Sequence, residues 1–366
     1  MRKKNLFNIV GSICLTLVLA ALLLPACAAE APTPVPTPTP TPTPTLTPTI
    51  PEVITLKYAE ISPQAEIGRQ STSAWMCEEI EKRTNGRVKM EMYWGGTLVE
   101  AKTALYLLQK GVCDLTVTPQ GWYPVQLSLS MLPAFSSWPA DIIKNGQDCF
   151  KLYDEFPELQ EVYKRFNARM FTMWPYEGYE IISTKPIRNL ADLKGMKICF
   201  TALEAFAEAA GVVNVPVLSV DAYTGLQRGI IDGFCCNLDA FTRYKHYEVA
   251  KYLTQGLSFP KYCIEGVINL DTWNELPTDI QKIIIEVGKE NSDLYAQMQL
   301  DARTEALELY KSEGVEIIQF PGEDKDEWFS RPEVLGLRNE WLSMVEKQGW
   351  MCGPDLMARW LEYCGE

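Results

Sequence analysis

Cys199, Cys235 and Cys236 are the residues of this chain best equipped for chemistry. Each falls at the end of a short apolar run that reads as a strand, so three thiols stand at the ends of neighbouring strands. Thiols gathered in this way form a soft metal site, supply a nucleophile, or fill a core or pocket wall. A thiol nucleophile needs a base, and His246 is the single imidazole of the chain. It falls in a charged stretch, 239–251, that reads as a solvated helix. A zinc site would need further ligands at suitable spacing, and Cys235-Cys236 are adjacent rather than spaced as CxxC. No Gly-x-Ser-x-Gly elbow, phosphate loop or HExxH stretch occurs. Core or pocket-lining thiols are the favoured reading, and no enzymatic activity, metal or cofactor is expected.

The elements that carry these residues occur twice. Val99-Glu100-Ala101 leads into Leu108-Gln109-Lys110-Gly111-Val112-Cys113-Asp114, and Val220-Asp221-Ala222 leads into Leu226-Gln227-Arg228-Gly229-Ile230-Ile231-Asp232. In each copy an acid opens a helix, where it suits the helix dipole. A glycine closes the helix, where it suits a left-handed cap, and an apolar strand follows. Two copies of one α/β unit imply two lobes with a cleft between them, and clefts hold small ligands. Around the first copy, alternation at Ile54, Leu56 and Tyr58, a helix over 67–84 and alternation at Val88, Met90, Met92 and Trp94 give a β-α-β-α-β opening. Around the second, strands are expected at 196–200, 215–218 and 230–235, and helices at 203–210 and 221–228. A strand over 263–270 returns to the first lobe. A long helix over 278–312 follows, broken at most once, near Gly288.

The start of the chain bears on the compartment. Arg2, Lys3 and Lys4 precede an apolar run over 9–24, and Leu24-Pro25-Ala26-Cys27 reads as a bacterial lipobox. Residues 1–26 are thus expected to be a signal peptide and Cys27 a lipid anchor, with plain secretion as the alternative. From 32 to 51 the chain is almost all Pro and Thr, the composition of an extended spacer. Residues 27–52 therefore read as a tether. The formal net charge of -13 argues against nucleic acid or anionic lipid as partners. Nine cysteines from Cys77 on form no evident framework. Buried free thiols are expected for most, with a bridge between Cys352 and Cys364 left open.

Several stretches are familiar in order: Thr84-Asn85-Gly86-Arg87-Val88, Gly95-Gly96-Thr97-Leu98, Leu108-Gln109-Lys110-Gly111, Asp192-Leu193-Lys194-Gly195-Met196-Lys197-Ile198, Gly229-Ile230-Ile231-Asp232-Gly233, Tyr247 to Leu253 and Trp273-Asn274-Glu275-Leu276-Pro277. Together they resemble the substrate-binding proteins of TRAP transporters, the DctP-like solute-binding family. The resemblance implies a two-lobed, type II periplasmic-binding-protein fold. Residues 53–176 and 264–288 would form lobe I, and 177–263 and 289–366 lobe II. It also implies capture of a small solute by lobe closure and delivery to the membrane subunits of an ion-gradient-driven permease. A binding protein for an ATP-driven importer or a sensor is the alternative, and a surface structural protein a third.

The resemblance also exposes departures. Relatives bind organic acids through an arginine after the Lys-Ile pair, a fork that grips a carboxylate. Cys199 stands there in this chain, Glu180 follows Gly178-Tyr179 where a base is usual, and Phe234, Cys235 and Cys236 precede Asn237. A neutral or cationic solute is therefore expected, stacked on Trp174, Tyr179 or Phe234 and hydrogen-bonded by Glu180 and Asn237. Trp122, Cys199 and Cys236 complete the expected wall. Arg69, Lys197 and Lys261 are the bases able to replace the arginine. For the anchor, Cys27→Ser is expected to move the protein from the membrane to the soluble fraction on cell fractionation. Equal membrane retention would refute it.

Overall fold

The computed structural model describes residues 53–64, 69–135, 141–200, 203–260 and 263–365. The expected signal peptide, Cys27, the whole of the tether and Lys261 lie outside the described residues. Strand β1 (Ile54–Ala59) alternates as read: Leu56 and Tyr58 point into a core while Thr55 and Lys57 face water. Helix α1 (Arg69–Arg83) and β2 (Val88–Tyr93) follow. The first repeat is α2 (Ala104–Gln109) and β3 (Leu115–Pro119). The helix expected from Val99 begins only at Ala104, after turns in which Thr103 and Ala104 both donate their N–H to the Glu100 carbonyl. Helix α3 (Ile142–Glu155) is capped by Asp141, which accepts from Ile143 and Lys144 N–H. Helix α4 (Pro157–Lys164) and β4 (Ala168–Trp174) end the first pass through lobe I.

The chain then crosses to lobe II, with β5 (Tyr179–Ser183), β6 (Lys197–Phe200), α5 (Glu204–Ala209) and β7 (Val213–Asn214). Strand β7 is short because the ladder stops there. Val217 N–H, expected within a strand, is bonded to Cys199 Sγ at 3.4 Å instead. The second repeat, α6 (Ser219–Gln227) and β8 (Gly233–Cys236), precedes α7 (Leu238–Arg243) and β9 (Tyr252–Phe259). The helix expected over 239–251 ends early, because Lys245 takes a left-handed φ of 54°. That turn sends His246 inward. It is buried among Phe234, Phe241 and Tyr244, not solvated, and burial holds its imidazole down at about 4.

A second crossing leads back to β10 (Ile264–Asn269) and α8 (Leu270–Glu275) in lobe I. Helix α9 (Thr278–Ser312) follows without a break, then β11 (Glu316–Gln319), α10 (Gly322–Phe329), α11 (Pro332–Lys347) and α12 (Gly353–Cys364). The two repeats lie in separate sheets, ordered β2-β1-β3-β10-β4 and β11-β9-β5-β8-β6-β7. Each sheet has apolar clusters of its own on its faces, so each lobe has its own core. Gly288 marks a close approach rather than a break. A Cβ there would sit 2.0 Å from the Phe171 carbonyl oxygen of β4. Helix α9 runs from the lobe I core, through Ile280, Ile284 and Tyr295, to the lobe II core at Ala306 and Tyr310, so the boundary expected at 288 falls inside one helix. The tail is shared between the lobes: β11, Trp328 and Val334 stay with lobe II as expected, but its end departs. Trp341, Trp350 and Trp360 join the same apolar cluster as Leu105 and Tyr163 of lobe I, and Trp341 donates to the Ser128 carbonyl at 2.9 Å.

One buried acid makes this core sensitive to pH. Glu265 of β10 is 2% exposed beside a cavity of about 30 Å3 that Tyr153, Tyr163 and Cys149 help to line. Burial pushes its carboxyl up to about 7, although Gln120 Nε2 donates to its Oε1 at 2.7 Å and opposes the shift. An unfolded chain holds the same proton with a pKa of roughly 4.3. The native state therefore binds the extra proton between those values, and stability falls as pH rises through that window. Tm is expected to be a few degrees lower at pH 8 than at pH 5.5. Glu265→Gln should lessen that dependence, leaving the share of the similarly buried Glu180, and raise Tm at pH 8. A profile unchanged by Glu265→Gln would exclude the proposed linkage.

Candidate functional site

Between the two lobes lies a cleft of about 570 Å3. It opens where the parallel strands end, the usual ligand position in such sheets. On lobe I the chain leaving β1 places Glu60 and Ser62. Glu60 is buried and grips Arg69 of α1 with both carboxylate oxygens, at 2.6 and 2.8 Å. Arg69 also donates to Ser62 Oγ at 3.0 Å and stands 5.4 Å from the Trp174 ring centre. Arg69 and Ser62 line the cleft together with Gln70 and Tyr176. On α9, Tyr295 and Gln299 recur four residues apart, which puts both on one helix face toward the same space.

Lobe II supplies Tyr179 at the start of β5, Cys236 at the end of β8, and α7. Asn237 links strand to helix as an N-cap, its Oδ1 accepting from Ala240 N–H at 3.2 Å. That cap directs Asp239 and Arg243 into the cleft, where they pair with each other at 2.6 Å, both more than half exposed. Tyr244 and Ser219 complete this wall. Both arginines of the cleft thus already hold a carboxylate of the protein, Arg69 through Glu60 and Arg243 through Asp239. Among the described residues the acids offset the bases, so this part of the cleft is close to neutral as well as rich in tyrosine.

Of the residues expected on the wall, Tyr179, Cys236 and Asn237 are there, and so is Arg69. The others sit elsewhere, each for a packing reason. Trp174 is fully buried against Thr72, to which its Nε1 donates at 2.9 Å. Phe234 is fully buried over His246, their ring centres 5.3 Å apart. Cys199 faces the same side of its sheet as Phe234, in the lobe II core. Cys235 falls on the opposite side, because successive strand residues alternate. The three thiols are therefore not gathered. Among the described residues no group of three or more His, Cys, Asp or Glu is placed to hold a metal ion. No disulfide joins Cys352 to Cys364 or links any other described cysteines.

Glu180 is 1% exposed and turned away from the cleft. Its carboxylate accepts from Leu257 N–H at 3.0 Å and, at 3.3 and 3.4 Å, from Gly256 and Ser258. Burial pushes its carboxyl up to about 7, although Arg303 and these N–H groups oppose the shift. Trp122 is 52% exposed, with Lys102 Nζ 4.8 Å from its ring centre, and is not part of the cleft wall. Lys197 is spent on the loop before β8, donating to the Gly229 carbonyl at 3.0 Å. The sequence did carry signals for what was missed. Tyr295 and Gln299, and likewise Asp239 and Arg243, are four residues apart on helices.

Comparison with known proteins agrees with this architecture. The model for bacterial extracellular solute-binding protein family 7, DctP, matches residues 59–335. The sialic acid-binding periplasmic protein SiaP of Vibrio cholerae is 23% identical over 269 residues, 69% of this chain and 80% of that protein. The C4-dicarboxylate-binding periplasmic protein DctP of Rhodobacter capsulatus is 24% identical over 307 residues, 77% of this chain and 85% of that one. A TRAP periplasmic solute binding protein from Desulfovibrio salexigens superposes with a TM-score of 0.77 at 23% identity, covering 85% of this chain and 95% of that structure. With more than half of its length matched to the family model, this chain belongs to the bacterial extracellular solute-binding proteins of family 7.

Proposed function

We propose that this protein captures a small organic solute in the cleft between its lobes and delivers it to the membrane subunits of a TRAP-type permease. The observation that carries the reading is the cleft itself. Its volume lies within the ~300–1,000 Å3 usual for small-ligand sites, and both lobes line it. Closure of the lobes would remove the solute from water and create the surface that the permease recognises. The role is one of binding, not catalysis. Lipidation of Cys27 would hold the protein at the membrane while the Pro-Thr tether lets it move.

For the solute, the proposal is a neutral polar molecule with a ring. Tyr176, Tyr179, Tyr244 and Tyr295 offer flat apolar faces with hydroxyl edges, and Asn237 and Gln299 offer amides. Each arginine is already paired, so a carboxylate would have to compete with Asp239 or Glu60. A second reading has its own support: the Arg243 side chain is 65% exposed, and similar structures hold orotic acid and β-D-galacturonate. In that reading a carboxylate takes Arg243 from Asp239.

Native mass spectrometry of freshly purified protein should show a retained small molecule. A thermal-shift panel then separates the readings. Neutral ring solutes are expected to raise Tm equally in wild type and Arg243→Ala. If an acid is the true solute, Arg243→Ala should weaken it ~30-fold or more, since a buried carboxylate loses a partner worth ~2–5 kcal/mol. No stabilisation by any solute of either class would count against the capture function.

A further inference from the structure

Three of the chain's passages between lobes meet at one guanidinium. Arg303 lies on α9, one turn beyond Gln299 and two beyond Tyr295. Its Nη1 is 3.4 Å from Glu177 Oε1, in the first crossing between β4 and β5. Its Nη2 is 3.9 Å from Glu180 Oε1, in β5. Glu180 in turn holds the N–H groups of Gly256, Leu257 and Ser258, at the end of β9 that leads into the second crossing. Helix α9 and both crossings thus share one polar cluster.

The two crossings also touch sterically. A Cβ at Gly178 would lie 2.5 Å from Ser258 Cα, and Ser258 takes a left-handed φ of 48°. A non-glycine residue there stores strain that its surroundings must hold in place. The charges are shielded as well. The Glu177 and Arg303 side chains are 13% and 24% exposed, and water-poor surroundings strengthen a charge pair. Tyr295, Gln299 and Arg303 share one face of a helix, so a roll of α9 that moves the cleft wall also moves the guanidinium. The opening of the lobes and the geometry of the cluster cannot change independently.

We propose that Arg303 pins the hinge, its pairing with Glu177 and Glu180 setting the balance between open and closed lobes. This rests on the reading of the chain as a solute-binding protein that closes. Apparent solute affinity scales with the fraction of molecules in the competent conformation, so the pin tunes affinity without touching solute. Arg303 is in these terms a positioning residue.

Single-molecule energy transfer on the full chain tests this without any solute. Dyes attached through azido side chains at Lys110 and Arg228, exposed residues just after α2 and α6, report the distance between lobes. Arg303→Met is expected to shift and broaden the distance distribution, and Arg303→Lys to keep most of the wild-type distribution. Glu177→Gln should shift it in the same direction, and combining it with Arg303→Met should add nothing further, as for two members of one interaction. An unchanged distribution in Arg303→Met and Glu177→Gln, or a fully additive double variant, would overturn the proposal. Should Arg303→Met fail to fold by thermal melting, Glu177→Gln, which leaves Glu180 in place, decides alone. The binding reading fails separately, if no solute in the panel moves the wild-type distance.

Discussion

Helix α9 can lie across both lobes only because nothing projects from it at Gly288. The helix rests on β4 there, close enough that the Thr172 hydroxyl donates to the Gly288 carbonyl at 2.7 Å. A side chain at that position would have to displace either the helix or a central part of the first sheet, since the Phe171 backbone occupies its space. Every residue that α9 gives to the cleft and hinge lies beyond this seat, at 295, 299 and 303. A helix is stiff on this length scale, so a shift at the seat becomes a larger one at its far end. The glycine thus sets the position of polar groups several turns away.

The charges follow a consistent pattern. In and around the cleft, arginine is met by carboxylate from within the protein: Arg69 by Glu60, Arg243 by Asp239, Arg303 by Glu177 and Glu180. The first pair is deeply buried. Removing one member of such a pair leaves an uncompensated charge, at a cost of ~3–5 kcal/mol. Its value is therefore as much in fixing where the guanidinium points as in stabilising the fold. The exposed Arg243 pair is cheaper to open, so lobe II carries the more adaptable of the two cationic walls.

The sequence told much about the scaffold and less about the site. The repeats at 99–114 and 220–232, the long helix and the returning strand were all readable, because alternation, glycine caps and helix length act locally. The site depended on facts that spacing does not carry. Cys199 and Cys235 looked like neighbours, yet strand alternation puts them on opposite faces. Trp174 and Phe234 stood in the right segments but were claimed by cores, which take large apolar side chains first. Glu180 looked like a ligand group and is a backbone clamp: the register between β5 and β9 shifts at its position, and its carboxylate takes N–H groups of β9. His246 was misread through one left-handed residue, Lys245, which no propensity rule flags.

The packing of the tail against lobe I has a consequence for how the chain is made and moved. A protein threaded through a translocase emerges from its N-terminus, and domains tend to fold as they appear. All but one edge strand of the second sheet comes from a continuous stretch, 179–259, and can pair without waiting. The first lobe cannot be finished in that way. Part of its core is filled by Trp341, Trp350 and Trp360, more than two hundred residues after Leu105 of the same cluster. The half of the molecule that begins first is thus completed last. In the interval it exposes an apolar surface that a chaperone of the cell envelope would be suited to cover.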